Sequence, residues 1–555
     1  MKTTIRILFL TLALIISINT WAAQVNKQDA KQLALNFFWE KSGMAIDEIK
    51  FEREIVQFKD AVPVYYIFNM DEGFVIVAAD DAVFPVLAYS YEGKFTEAEL
   101  PKNIRAWMKS YEGQIAFTIQ QKGQASMAIK EVWDKYLSLN FSPEKETKEE
   151  VKPLLYTNWG QGCFYNTDFP EYENENLCGH TYTGCVATAM AEIIKFHNYP
   201  KQGTGSHGYN STYGWLEADF GNTFYNWTDM QYELVDENPA VAELIYHCAV
   251  SINTIFVPGG SGAYDIDVRD ALVDYFGYED EAQFILRNNY SGDWEILLRS
   301  ELDDGRPVLY GAVAEDEGDY YGHTLVCDGY QDTAFFHLNW GWEGIYNGYY
   351  YLDSLTANGY DYNLFHDVII GIRPDIGESY SIQAPENLTA VPDGTSINLI
   401  WDEATEGTLE KLGYNVFRDG QVVNLAIVTD TVFTDTNVPS GEHSYKVSTV
   451  YIGDEALSEN SVQVQGVGSP RQVTGKSPYV ISPNPATGFI IVSGKLEDNN
   501  ISDIKLLDLS GREIKNWDIA NQNETIQLKL PEVEGLFLIQ ISNLNGTFTS
   551  KLIIR

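Results

Sequence analysis

Basic residues are scarce in this chain. Lysine and arginine total 37 against 79 aspartates and glutamates, a formal charge of −42 over 555 residues. A surface that grips nucleic acid or an anionic membrane needs the opposite balance, so no nucleic-acid partner is expected. Cysteine is rarer still, with Cys163, Cys178, Cys185, Cys248 and Cys327 all in the middle of the chain. No C-x-x-C pair and no H-E-x-x-H is present, so the usual zinc signatures are missing. Neither a metal nor a cofactor is expected. The block from 24 to 150 has no cysteine and no histidine at all, and its chemistry is expected to be packing and contact. Long apolar runs are also lacking: Ile7 to Ile18 is too short to span a bilayer comfortably. With Lys2 and Arg6 before it and Thr20-Trp21-Ala22-Ala23 after it, residues 1–23 read as a cleaved signal peptide, a retained anchor being the alternative. An exported chain meets oxidising conditions, where five cysteines leave at least one thiol unpaired unless it bonds another chain.

What is present points to several domains, since 555 residues exceed one hydrophobic core. Residues 24–150 predict an α+β block with helices at Lys27 to Glu40, Asn103 to Ala116 and Ala125 to Asn140. Strands are predicted there at Val62 to Met70 and Gly73 to Ala79. The charged run Ser142 to Glu150 marks a solvated boundary and a candidate processing site. Residues 151–374 carry helical patterns first (after Cys185, Pro239 to Ile252, Asp265 to Tyr275, Trp294 to Asp303). Strand patterns follow (Pro307 to Val313, His323 to Tyr330, Thr333 to Asn339, Gly348 to Leu352, Asp367 to Ile372). That order predicts an α+β domain of two lobes with a cleft between them. Residues 379–466 alternate as short strands of an all-β sandwich, including Gln421 to Val428, with an inert spacer as the expected role. After a Gly/Ser/Pro linker, residues 478–555 predict a second all-β sandwich.

The chain is organised around Thr183-Gly184-Cys185-Val186-Ala187-Thr188-Ala189-Met190-Ala191, which opens an apolar helix closed by Asn198 to Pro200. A cysteine at a first helical turn faces unpaired N–H groups and the positive end of the dipole, which favours thiolate. A nucleophile also needs a base, a group that orients the base, and oxyanion donors. Of eight histidines, His323 at the start of an apolar strand is the best candidate for the base, with His337 second. Asn339 is expected to hold the imidazole tautomer, with Trp340 or Trp342 shielding that bond from water. Gln161, in the glycine-flanked Trp159-Gly160-Gln161-Gly162 loop, is the expected oxyanion donor beside the Cys185 N–H.

These motifs together, W-G-Q-G, T-G-C-V-A-T-A-M-A, G-H-x-L-V-x-D-G-Y and F-H-L-N-W-G-W in that order, resemble the streptopain family of cysteine peptidases, a branch of the papain-like fold. The resemblance spans 151–374. It implies Cys185 as nucleophile, His323 as general base and later acid, Gln161 as oxyanion donor, and Asn339 with Trp340 as support for the histidine. It further implies that the first block is an inhibitory propeptide covering the cleft, and that the Val257 to Ala263 loop, with Gly260, Ser261 and Gly262, forms a substrate-binding wall, Trp342 being assigned to substrate binding beside it. Cys163 and Cys178 depart from the expected pattern, and a local disulfide is the preferred account. Cys327 is expected in the core. Residues 379–466 resemble a fibronectin type III module. S-P-N-P, D-L-S-G-R and the closing Lys551 to Arg555 strand are similar to type IX secretion sorting domains. The implied protein is an exported cysteine endopeptidase zymogen whose partners are protein or peptide substrates, its own propeptide and the type IX secretion machinery. A transglutaminase-like acyltransferase and a non-catalytic surface adhesin are the alternatives.

Overall fold

The computed structural model describes residues 23–96, 100–143, 149–257, 260–316, 319–352, 355, 365–377, 379–405 and 407–467. In the last segment it describes 479–482, 486–494, 501–507, 513–517, 525–531, 533, 535–543 and 546–554. The expected signal peptide up to residue 22, residues 144–148 of the charged break, the linker at 468–478, residues 483–485 of S-P-N-P, the D-L-S-G-R run at 508–512, and Pro258 with Gly259 lie outside these residues.

Seven α-helices are present among the described residues: α1 (Lys27–Ser42), α2 (Lys102–Gln121), α3 (Met127–Leu137), α4 (Cys185–His197), α5 (Pro239–Ser251), α6 (Ile266–Phe276) and α7 (Trp294–Asp303). Each sits where the apolar periodicity placed one. The strongest local signals are at the caps: Asn26 and Ser126 side chains accept from first-turn N–H groups of α1 and α3, and Gly43 and Gly277 close α1 and α6 in the left-handed conformation.

The first block contributes four antiparallel strands, Phe51–Lys59, Val62–Met70, Phe74–Ala78 and Val86–Ser90. The first and last of these were not expected from the alternation. They do not close a separate sheet. Val86–Ser90 pairs with Gly348–Tyr351, Tyr349 opposite Tyr89 and Tyr350 opposite Ala88. The sheet then runs on through Phe335–Asn339, Asp319–Gln331, Val308–Asp316, His366–Ile370 and Gln283–Leu286. One core joins the first block to this sheet, with Phe37, Tyr89, Phe335 and Tyr350 buried in it. A second core surrounds α4 and α5. His323 lies on Asp319–Gln331, an interior strand of the sheet, and lines one cavity with Cys185 at the start of α4.

Residues Glu386 to Val467 form a sandwich of three strands on five. The expected strand over Gln421 to Val428 is interrupted: it pairs at Gln421–Val422 and again at Val428, which bridges Tyr414. Between them Leu425 reaches the segment ahead of α5, where the Tyr232 N–H donates to its O at 2.8 Å. Nor is the sandwich a detached spacer. Ile427 and Val450 are buried in the α4 core, Gly453 N–H donates to His197 O at 2.9 Å, and Tyr232 Oη donates to Asn415 Oδ1 at 2.8 Å. At the centre of this contact, Glu455 accepts from Asn415 (3.0 Å) and Tyr156 (3.3 Å). Its charge also opposes the burial that brings the Lys195 ammonium, on α4, down to about 7. Removing one member of an enclosed polar network strands the others. Glu455→Ala is therefore expected to lower unfolding free energy by about 2 kcal/mol, and Glu455→Gln by less, in urea titrations followed by tryptophan fluorescence. Equal stability of Glu455→Ala and the native chain would contradict the coupling.

The last segment folds as sheets of three and four strands enclosing Ile490, Val492, Ile504, Ile539 and Leu552.

Candidate active site

The turn into α4 is set by Gly184, whose φ of 93° suits glycine. A side chain there would also press on Ser261. Cys185 is thereby presented at the first turn, whose N–H groups receive no side-chain cap. Its thiol lies within hydrogen-bonding reach of the Thr324 backbone N–H, the residue after His323. Thr188 ties back to Gly184 O (3.0 Å) and to Thr183 (2.8 Å), which fixes the loop ahead of the nucleophile.

His323 stands on Asp319–Gln331 opposite Ala312. Its Nε2 donates to the Trp340 carbonyl oxygen at 3.0 Å. The indole of Trp340 lies parallel to the imidazole at 5.6 Å and that of Trp342 at 6.4 Å. Nδ1 is then the acceptor, and the side-chain amide of Asn103 occupies it. Asn103 lies in the first turn of α2, its Oδ1 accepting from Ile104 N–H at 2.9 Å. Both imidazole nitrogens are engaged, and neither by Cys185. Burial brings His323 down to about 4, the Trp340 carbonyl opposing. Burial likewise pushes the Cys185 thiol up to about 11 despite its position at a helix start. In this covered state both groups are neutral. The expected gain from the dipole is outweighed by desolvation.

The structure changes the position of Asn339. Its amide donates to Thr157 O (2.8 Å) and to Glu192 Oε1 (3.2 Å), and its Oδ1 accepts from Gly341 N–H (3.1 Å). It shapes the Trp340 turn and makes no bond to His323, whose orienting acceptor is a backbone carbonyl one residue on. Glu192, two turns along α4 from Cys185, also accepts from Trp159 N–H at 3.2 Å. It is fully buried, and burial raises its carboxyl well above the usual range. A single acid on an apolar helix was the available sequence signal for it. Glu192→Ala is expected to cost about 3 kcal/mol, because Trp159 N–H and the Asn339 amide lose their acceptor. Glu192→Gln should recover part of this in the same urea titration.

Gln161 is buried, its side-chain amide donating to Gly341 O at 3.3 Å and its backbone carbonyl accepting from Thr183 N–H at 3.1 Å. The loop is thus tied to the segment entering α4. Gly260–Gly262 forms a short strand against Gly184. Ser261 and Gly262 line a cavity of about 550 Å³ together with Cys185 and His323. Trp342 packs instead on His323 and Tyr182. His337 is paired with Asp328 (2.6 Å) and packed on Tyr349, away from that cavity. Cys163 and Cys178 form a disulfide, while Cys248 and Cys327 are buried free thiols.

Residues 159–350 match the peptidase C10 family, 22–115 the Spi protease inhibitor family, and 480–555 the secretion system C-terminal sorting domain. Streptopain of Streptococcus pyogenes is 30% identical over 386 residues, which cover 63% of this chain and 92% of that one. The chain belongs to the streptopain family. The family is one of cysteine peptidases, and this member carries an inhibitor-type N-terminal domain and a sorting domain that marks it for secretion or attachment at the cell surface. The thiol protease/hemagglutinin PrtT of Porphyromonas gingivalis is 31% identical over 422 residues, 71% of this chain. The chain spans about half, 47%, of that relative's length. Among solved structures, a prointerpain A fragment of Prevotella intermedia is 30% identical and covers 60% of this chain and 100% of that one, with a TM-score of 0.48. Active interpain A is 37% identical over 41% of this chain and 98% of that one, with a TM-score of 0.36.

Proposed function

We propose that this streptopain-family chain is a cysteine endopeptidase zymogen, with residues 24–150 as inhibitory propeptide, 151–374 as catalytic domain, 379–466 as a fibronectin type III-like module and 478–555 as sorting domain. The observation that carries the reading is Asn103 seated on His323 Nδ1. With Nε2–H committed to the Trp340 carbonyl, Nδ1 is the one nitrogen able to take a proton from Cys185, and the first block occupies it.

Once α2 withdraws, His323 Nδ1 removes the thiol proton and Sγ attacks the peptide carbonyl carbon. The oxyanion forms between the Gln161 amide and the Cys185 N–H. His323 then gives its proton to the departing amine, leaving a thioester. Water, deprotonated by the same nitrogen, hydrolyses the thioester and restores the thiol. Trp340 supports this cycle through its carbonyl and by covering the imidazole. Asn339 supports it indirectly, by holding the turn that presents that carbonyl.

The test incubates Gln24 to Arg555 with a reducing agent and an unstructured protein, with and without a thiol-alkylating reagent, and follows all chains by intact mass. The expected result is cut substrate and a new N-terminus between Ser142 and Val151, both abolished by alkylation. Crosslinked substrate would instead establish acyl transfer to an amine. Substrate bound but uncut, even after the chain is opened at that boundary by another protease, would establish the adhesin.

A further inference from the structure

Two carboxyl groups meet in the cavity beside Cys185, and the chemistry described above uses neither. Asp265 precedes α6, and Asp367 lies on His366–Ile370. They are 102 residues apart in sequence, from 265 to 367, and line the same cavity as Cys185 and His323. Thr324 Oγ1 donates to Asp265 Oδ1 at 2.6 Å. The two carboxyls converge over Gly311, where one added carbon would touch an oxygen of each. Space for this is made by Gly311, which pairs across the sheet with both Thr324 and Asp367. Its φ is not in the left-handed region, so the need for glycine is steric: a Cβ would collide with Asp265 Oδ2 and Asp367 Oδ1. Burial, then the neighbouring Asp265, raises Asp367 to about 8, and burial raises Asp265 as well. Asp367 Oδ1 has no donor in the protein. Among the described residues that line the cavity there is no lysine or arginine, and the other titratable side chains are Cys185, Tyr264 and His323.

The walls above this floor are apolar. Ile255, Val257, Phe284 and Val313 line the cavity. Ile255 and Val257 are about half exposed at its rim. An apolar collar over a pair of acids fits a side chain with a long aliphatic stem and a cationic head. Two carboxyls and one hydroxyl are fewer oxygen ligands than a calcium ion takes.

Resting on the peptidase reading, we propose that this cavity binds a lysine or arginine side chain of the peptide substrate near the scissile bond. The cationic head pairs with the carboxylates of Asp265 and Asp367 and displaces to solvent the proton that burial leaves on Asp367. The stem lies on Ile255, Val257 and Phe284. The site is thus a specificity pocket for basic residues, built by one glycine that lets an acid at a helix start and an acid on a strand converge.

The test uses the full chain activated under reducing conditions and a set of peptides differing at one position at a time, with arginine, lysine, norleucine or glutamate there, read by mass spectrometry. At one position kcat/KM for arginine or lysine is expected to exceed that for norleucine at least tenfold, with glutamate the poorest. In Asp367→Asn, and separately in Asp265→Asn, that ratio is expected to fall to threefold or less. Native enzyme that cuts norleucine peptides as well as arginine peptides at every position overturns the pocket, and this arm needs no variant to fold. Calorimetry of the same peptides with chain carrying Cys185→Ala, cut at the Ser142 to Val151 boundary by another protease and freed of its first block, separates the two readings. Preferred binding of the arginine peptide without hydrolysis by the native chain retires the peptidase reading and keeps the pocket, whereas equal binding overturns the pocket.

Discussion

Replacing Cys185 by alanine is expected to lower peptide hydrolysis by the activated chain on the order of 10⁴-fold or more, while the urea midpoint of the full chain stays within about 1 kcal/mol of the native value. The size of the effect follows from the absence of a stand-in. The remaining free thiols, Cys248 and Cys327, are fully buried, and burial raises both well above the ordinary thiol range. Cys163 and Cys178 are joined in a disulfide. The small stability change follows from the position of the side chain at the mouth of a cavity, where losing one sulfur opens no closed void. Continuous-rate assays with a quenched protein substrate give the first quantity, and urea titration gives the second. Hydrolysis persisting within tenfold of the native rate would move the nucleophile elsewhere.

Alkylation of Cys185 by iodoacetamide at pH 7.5 is expected to be at least about 100-fold slower in the intact chain than after the first block has been cut away and separated. The argument is one of protonation and access together. A thiol near 11 holds roughly one thiolate in several thousand at that pH, whereas a thiol near its ordinary value holds roughly one in ten. Removing α2 readmits water, so the desolvation that raises the thiol is relieved. It also frees His323 Nδ1 from Asn103, making an imidazole available to take the proton. Both changes act in the same direction. Peptide mapping of the labelled chain over time measures the ratio. Equal labelling rates in intact and processed protein would mean that the first block does not hold the nucleophile in its thiol form.

Much of this arrangement could be read in the residues, and the omissions share a cause. Helix positions were legible because apolar spacing and caps are local. Cys185 was legible because its run puts it at the start of a helix; His323 was expected to open a strand, which in fact begins at Asp319, because pairing with Val308–Asp316 extends it. The orienting acceptor of His323 was misplaced by one residue, since a backbone carbonyl carries no residue-type signature while the Asn339 side chain beside it does. Asn103 was hidden for the opposite reason. An asparagine after Pro101 reads as a helix opening, which it also is, and its contact with a histidine 220 residues away leaves no local trace. Strands Phe51–Lys59 and Val86–Ser90 were missed because they lack clean alternation: the latter is buried on both faces and gains its place from pairing with Gly348–Tyr351. Asp265 and Asp367 meet only because two elements converge over Gly311.

The shared sheet separates two events that a zymogen is usually assumed to combine. Cutting the chain between Ser142 and Val151 severs one covalent link, yet the freed fragment is still knitted to the enzyme by the ladder between Val86–Ser90 and Gly348–Tyr351. It is also held by the stacked pairs Phe84–Tyr351 and Tyr89–Tyr349. Latency therefore outlives the cut and ends only when that strand peels away. The departing fragment leaves behind a bare sheet edge, with main-chain donors and acceptors turned outward. That edge can take back the same fragment from solution. On the zymogen reading proposed above, a released first block would act as a diffusible antidote to its own enzyme, and its concentration would set how long the protease stays silent.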